Sequence, residues 1–334
     1  MEDRNVATFR YRHGKWQARV TRKGLTPVSR SFAILQDAER WARQIESDMD
    51  KGAYTNTVLA ERTIFKELIQ RYMREVTPSM RGAEADLIRL KAICRKSICQ
   101  LNMVALTPSK IAEYRDERLN EVTAGTVIRE LCYFSSIINH ARREWGINII
   151  NPVALVRKPA TPKGRNRTLN DSEKALLLNS LIPTRNNRKS PWMYSLVEFE
   201  PETAMRRGEM LALLWVNVDL AKRIAFLPTS KNGESRLVPL STTAVEILKK
   251  LPHSIDGKVF PINDFTVAAA FKRATKRSGI DNFQFHDLRH TAITNMAEKV
   301  PNVLELSAIT GHKTLSMLKR YTHFKAEDLA KKLG

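Results

Sequence analysis

Residues 151–167 restrict this chain of 334 residues more than any other stretch. They contain Asn151-Pro152, Arg157-Lys158-Pro159 and Thr161-Pro162-Lys163-Gly164-Arg165-Asn166-Arg167. Proline locks φ and has no N–H to donate, so Pro159 and Pro162, three residues apart, favour an extended path. The chain therefore divides here. Its length accommodates two or three domains in all. The stretch is also basic, so it reads as an extended, positively charged linker between two folded bodies.

Before the linker, two patterns follow one another. Residues 6–32 read as a small sheet: Val6 to Arg12, a turn at His13-Gly14, Trp16 to Arg22, a turn at Lys23-Gly24, then Val28 to Phe32. Trp16, Ala18 and Val20 share one face of the second strand; Lys15, Gln17 and Arg19 share the other. Ile34, Ala38, Trp41 and Ile45 then recur at helical spacing over 34–50. A three-stranded sheet backed by one helix leaves a face carrying Arg10, Arg12, Lys15 and Arg19. Such a ribbon suits a major groove; a solvated basic face is the plainer alternative. Lys51 to Asn56 breaks the pattern as a linker. Residues 61–145 carry helical periodicity alone, over 62–75, 83–95, 108–120 and 124–145. Thr107-Pro108 places proline at a helix start, and Thr123 or Gly125 is positioned to cap the longest helix.

Beyond the linker the pattern changes again. Asp171-Ser172-Glu173 opens a helix over 171–180, and 192–215 reads as mostly helical. Arg223 to Pro228 and Ser235 to Leu240 flank Lys231-Asn232-Gly233, and Asn-Gly between two apolar-rich strands signals a hairpin. Helices follow over 241–250, 264–278, 286–298, 302–309 and 314–322. The fold class is mainly α and multidomain: a small three-stranded β-sheet with one helix, a helical module, and a mixed α+β domain.

Charge narrows the partners. Lys+Arg 56 against Asp+Glu 35 leaves a net charge of +21, spread along the whole length. That excess points to a polyanion, and nucleic acid suits it better than an anionic membrane, because no basic amphipathic helix with an aromatic face stands out. No run reaches the roughly 20 apolar residues that span a bilayer. The first residues have no apolar signal core, so a cytoplasmic location is expected. Cys94, Cys99 and Cys132 are an odd set with the spacing of neither a disulfide framework nor a zinc site.

The chemistry-bearing residues concentrate near the end of the chain. His286-Asp287-Leu288-Arg289 puts a histidine and an arginine at i, i+3 on one helix face. Arg206 lies upstream in Thr203-Ala204-Met205-Arg206. A guanidinium is a rigid donor fork matched to phosphate oxygens, and two can neutralise both non-bridging oxygens of a phosphodiester. Arg207 and His290, the immediate neighbours, are expected to point elsewhere, because i, i+1 residues do not share a helix face. Lys231, beside the hairpin tip, is placed to protonate a departing oxygen if nearby cations lower its pKa; a solvated turn lysine is the alternative. His312 and Tyr321 are nine residues apart, which on one helix sets them on opposite faces. They therefore belong to separate elements, with Gly311 closing one helix and Thr314 capping the next. A phenol, with an ordinary pKa of about 10, becomes a candidate nucleophile only when set among such cations.

In order and spacing, Arg206, Lys231, His286-x-x-Arg289, Gly311-His312 and Tyr321 resemble the catalytic set of the tyrosine recombinase (phage integrase) family. The match covers about 168–325. Residues 61–158 resemble that family's helical core-binding domain and 6–50 its arm-binding, AP2-like domain; Val156 to Pro159 with Gly164 to Leu169 resembles the linker of proteobacterial integrases and the shufflon invertase. The implied division is 1–55, 56–158 and 159–334. Two departures occur: Ala204 where the family has glycine, and Leu214 to Asn217 where Arg and Asp are common. Arg206 is expected to keep its place.

The resemblance implies that Tyr321 forms a 3′-phosphotyrosyl bond. Lys231 would protonate the 5′-oxygen, Arg206 and Arg289 would clamp the phosphate, His286 would take the tyrosine proton, and His312 would bond a non-bridging oxygen. It implies a homotetramer on two double-stranded DNA sites, without cofactor, metal or ATP, and with DNA-bending proteins or an excisionase as further partners. Arg10, Arg12, Lys15, Arg19, Arg157, Lys158, Arg165 and Arg167 are the expected DNA contacts. Residues 325–334 are a candidate dock for a neighbouring subunit. An integrase is the leading expectation, since an extra sheet domain suits a second class of DNA site. A DNA invertase, a type IB topoisomerase and a non-catalytic DNA-binding regulator are the alternatives.

Overall fold

In the computed structural model the described residues are 7–51, 57–161, 164–182, 190–228, 235–319 and 321. The chain forms two compact units, residues 1–163 and 164–334.

The first unit begins with an antiparallel sheet of β1 (Thr8–Arg12), β2 (Lys15–Val20) and β3 (Val28–Phe32), in that order. His13 and Gly14 both take positive φ, 50° and 73°, as a two-residue hairpin turn demands. The register pairs Phe9 with Ala18, Tyr11 with Trp16, and Val20 with Val28, which gathers the apolar side chains on one face. Helix α1 (Leu35–Asp50) covers that face, with Ala42 and Met49 packed against Val20 and Val28. The opposite face carries Arg10, Arg12, Lys15 and Arg19, all exposed.

Among the described residues, five α-helices follow in this unit: α2 (Val58–Arg62), α3 (Phe65–Glu75), α4 (Ala83–Ile93), α5 (Pro108–Leu119) and α6 (Ala124–Glu144). Helix α6 is the axis. Val127, Glu130, Leu131, Phe134, Ile137, Ile138 and Ala141 are buried at i, i+3, i+4 intervals along it. Phe134 meets Phe65 edge-to-face at 5.0 Å. The helix read over 62–75 is broken in the structure. Thr63 and Ile64 are extended, Ile64 bridges Asn102, and the Ile64 N–H is capped by Glu67 at 3.2 Å. Thr107 caps α5 through a bond from the Lys110 N–H, as its sequence position predicts.

The second unit opens with α7 (Asp171–Leu181), held by a capping box between Asn170 and Glu173. Helix α8 (Pro191–Thr203) follows and packs against α7 and four later helices. Residues 192–215 are mostly helical, as the sequence indicates, but not as one helix. Ala204 enters the left-handed region at φ 50°, Arg206 is extended, and a short α9 (Arg207–Leu211) starts after it. A second antiparallel sheet runs β4 (Val218–Asp219), β5 (Ile224–Leu227), β6 (Arg236–Pro239). The β5–β6 pairing, Ile224 with Pro239 through Leu227 with Arg236, is the expected hairpin. Lys231 and the rest of its tip lie outside the described residues. Helices α10 (Thr242–Lys249), α11 (Asp264–Arg277), α12 (Phe285–Lys299), α13 (Val303–Thr310) and α14 (Leu315–Leu318) complete the order. The main core joins Leu177, Leu196, Phe199, Val238, Phe260 and Leu288. A smaller cluster of Ala204, Ala292, Ile293, Leu306, Leu318 and Tyr321 sits beside it. Residues 325–334 lie outside the described residues.

Candidate active site

The break between α8 and α9 makes the site. At Ala204 the chain leaves the helix, and the Ala204 carbonyl accepts a bond from Nη1 of Arg289 on α12. Two residues later Arg206, freed from helical geometry, donates from Nη1 to Glu209 Oε1 at 2.7 Å and from Nη2 to the Gly311 carbonyl at 3.1 Å. Arg289 also donates to the Thr310 carbonyl, at 2.5 Å. Both arginines thus use part of their donor forks to tie α9 and α12 to the C-terminal end of α13. Arg206, Arg289, His286 and His312 line one cleft of about 600 Å³.

His312 is set by its own loop. Its Nδ1 lies 2.7 Å from Thr310 Oγ1, and its carbonyl accepts from Ser307 Oγ at 2.7 Å. Gly311 closes α13 at φ 68°. A Cβ there would come within 2.9 Å of the Arg236 guanidinium, so both backbone conformation and space call for glycine. Thr314 is the N-cap residue of α14, so His312 stands in the joint that the nine-residue spacing requires.

Burial makes the site electrostatically tense. Arg289 is 3% exposed, and burial together with the nearby Arg206 charge lowers its guanidinium to about 10, still cationic at neutral pH. Glu209 anchors the cluster: it accepts from Arg206, from the Arg206 N–H at 2.9 Å and from Arg236 Nη2 at 2.8 Å. Burial pushes the Glu209 carboxyl up, but Arg236 and Arg206 outweigh it and hold the group below the usual range. Glu200, 1% exposed on α8, is the opposite case. Burial pushes its carboxyl well above the usual range, with the Arg289 charge opposing. Among the described residues its Oε2 has no hydrogen-bond partner.

Two sequence expectations are corrected. Arg207 lines the same cleft, paired with Asp264 at 2.6 Å and lying over the Phe285 ring at 5.7 Å. The i, i+1 argument fails because Arg206 is an N-cap and only Arg207 is helical. His290 also belongs to the site. It follows His286 by one helical turn, which keeps both on one face, with ring centroids 5.2 Å apart. Its Nδ1 hydrogen-bonds the Tyr321 hydroxyl, and the two rings stack at 5.8 Å and 26°. Tyr321 itself is 8% exposed within the small apolar cluster. Sequence reasoning also missed Glu200 and Arg236. Arg236, on β6, bonds the Ile309 carbonyl and Glu209, and no motif marks it.

The basic residues expected at DNA fall into groups. Arg157 and Lys158 are exposed at the end of the first unit, where the Arg157 carbonyl accepts from Arg115 Nη1 at 2.8 Å. Arg165 donates to Asp287 at 2.7 Å and to Asn282, and Arg167 pairs with Glu173. These two therefore fasten the start of the second unit to its own helices. Burial raises the Asp287 carboxyl, but Arg165 and the Gln284 N–H bring it below the usual range.

A cleft walled by three arginines and two histidines, with a tyrosine hydroxyl in the adjoining seat, can hold a phosphodiester and offer it a nucleophile. The comparisons agree with that chemistry. Residues 170–328 match the model described as the phage integrase family. The shufflon-specific DNA recombinase of Escherichia coli is 40% identical over 274 residues, covering 79% of this chain and 70% of that protein. A putative integrase/recombinase of Haemophilus influenzae is 33% identical over 337 residues, covering 97% of this chain and 88% of that one. In fold, the chain is similar to a lambda integrase tetramer bound to a Holliday junction, with a TM-score of 0.66 at 19% identity and 94% of each chain covered. The chain belongs to the phage integrase family and is a site-specific tyrosine recombinase, an enzyme of DNA strand cleavage and rejoining.

Proposed function

We propose that this recombinase is an integrase of a phage or other mobile element, acting as a homotetramer on two DNA sites. Tyr321 is its nucleophile. It attacks one strand, forms a 3′-phosphotyrosyl bond and frees a 5′-hydroxyl. Arg206 and Arg289 clamp the phosphate, and His286 and His312 border it. Lys231 protonates the leaving oxygen from the hairpin between β5 and β6. The observation that carries this reading is the convergence of Arg206, His286, Arg289 and His312 on one cleft, with Tyr321 seated next to it. The phosphotyrosyl link conserves the bond energy, so rejoining needs no ATP.

Residues 1–55 serve as an arm-type DNA-binding domain, 56–158 as a core-binding domain and 159–334 as the catalytic domain. The exposed face of Arg10, Arg12, Lys15 and Arg19 supports a DNA contact for the first. Arg157 and Lys158 follow the backbone between the other two. The tetramer is supported by the likeness to lambda integrase, whose tetramer binds a Holliday junction. DNA-bending proteins or an excisionase complete the partner set, and the reaction takes place in the cytoplasm.

The test is a nicked suicide duplex built from the DNA flanking the gene. Wild type traps a covalent protein–DNA adduct there, and Tyr321→Phe binds the duplex but forms none. A wild type that binds and never forms the adduct would turn the reading to a non-catalytic DNA-binding regulator. A second reading, a DNA invertase, is favoured by the 40% identity to the shufflon-specific recombinase. Clustered inverted repeats beside the gene would decide for it; attachment-site repeats would decide for the integrase.

A further inference from the structure

The resemblance assigns the tyrosine proton to His286, yet the structure seats the Tyr321 hydroxyl on the next histidine along the helix. We propose that His290 is the catalytic base, the group that accepts the Tyr321 proton as the hydroxyl attacks phosphorus. The inference rests on the reading of Tyr321 as nucleophile.

Three observations carry it. The Nδ1 atom of His290 and the Tyr321 hydroxyl are hydrogen-bonded partners, so no rearrangement is needed for the proton to pass between them. The two rings stack at 26°, and the tyrosine ring is fixed by Ala204, Ala292, Ile293, Leu306 and Leu318. The proton leaves as the new bond forms, and His290 is a base already in contact with the hydroxyl. Finally, the tyrosine segment already borders the cleft. Met317, four residues before Tyr321, lines it together with His286 and Arg289. His286, exposed and one turn from His290, lines that cleft beside Arg289, where the phosphate is proposed to sit.

The step balances. The Tyr321 O–H bond breaks and the proton passes to Nδ1 of His290. The phenolic oxygen bonds to phosphorus, the P–O5′ bond breaks, and the 5′-oxygen takes a proton from the acid proposed at Lys231. Rejoining returns the His290 proton to the phenol. The tautomer required has Nε2 protonated and Nδ1 bare.

His290→Asn separates this role from a merely structural one. An asparagine amide can occupy the Nδ1 position and keep the hydrogen bond to the phenol, but it is no base. Adduct formation is followed in single turnover with the full chain and saturating suicide duplex. The expected result is a rate about 10²-fold lower, the usual lower bound for loss of a general base, with DNA affinity and melting temperature unchanged. A wild-type rate in His290→Asn overturns the proposal. If that variant melts early, His290→Ala with added imidazole decides: restored cleavage supports the base, and none overturns it. A wild type that forms no adduct would instead overturn the function proposed above, so the two failures are told apart.

Discussion

Two buried carboxylates, one in each unit, stand in opposite conditions. Glu130 on α6 is 8% exposed and closes a network: it accepts from Tyr114 Oη at 2.7 Å and from Arg118 at 2.7 and 3.0 Å. The Arg118 guanidinium is raised above its ordinary range, chiefly by that bond. Glu200 on α8 is more deeply buried, lies near the Arg289 charge, and keeps an oxygen with no partner among the described residues. The first arrangement locks a helical module. The second leaves a carboxyl oxygen unmatched behind an arginine that lines the cleft. A structural network closes on itself, whereas a reactive one holds capacity for its substrate.

Breaking the closed network has the largest expected effect on stability. Glu130→Ala strands the Tyr114 hydroxyl in the core and leaves Arg118 with Glu121 as its remaining carboxylate. A cost of about 1–3 kcal/mol follows, the usual penalty for a buried polar group left without its partner. Urea unfolding measures it, and the folded fraction should still form the adduct at the wild-type rate. A loss below about 1 kcal/mol would rank the pair with surface salt bridges and remove the contrast.

The two networks also differ in how far the chain announces them. The amphipathic spacing of α6 and the alternation of β2 were legible, because periodicity reports which side of an element faces inward. The separation of His312 from Tyr321 was legible for the same reason. Arg236, Glu200 and His290 were not, because their significance lies in partners distant in sequence. Arg236 meets Ile309 across 73 residues, and His290 meets Tyr321 across 31. His290 was discounted by its neighbour when its relation to His286 at i+4 was the informative one. Ala204 stands where the family has glycine, and periodicity does not show that its slot is left-handed.

Glu200→Gln tests the open side of the comparison through pH. Because burial raises the folded-state carboxyl above its unfolded value of about 4.5, the stabilised form is the protonated one. The stability linked to it is complete below that unfolded value and is lost as pH rises toward the folded value, since the unfolded chain releases the proton first. Wild type should therefore lose ground to Glu200→Gln as pH rises from about 4.5. Melting temperatures of both proteins across that window measure the difference, and Glu209 and Asp287, held low in both, cancel from it. A constant offset between the curves would show that Glu200 does not titrate against burial.

Ala204→Gly carries the smallest expected change and isolates backbone strain from charge. Ala204 holds φ 50° directly after α8, a conformation that costs an L-residue about 1–2 kcal/mol. Glycine removes that strain but adds backbone entropy to the unfolded chain, which takes back about 0.5–1 kcal/mol. A net gain of about 1 kcal/mol or less is expected in urea unfolding. The carbonyl that receives Arg289 belongs to the backbone and survives the change, so adduct formation should stay near the wild-type rate. If cleavage instead rises severalfold with little change in stability, the alanine is holding the Arg289 anchor in a less productive place. The tension of the cleft would then reside in this turn as well as in Glu200.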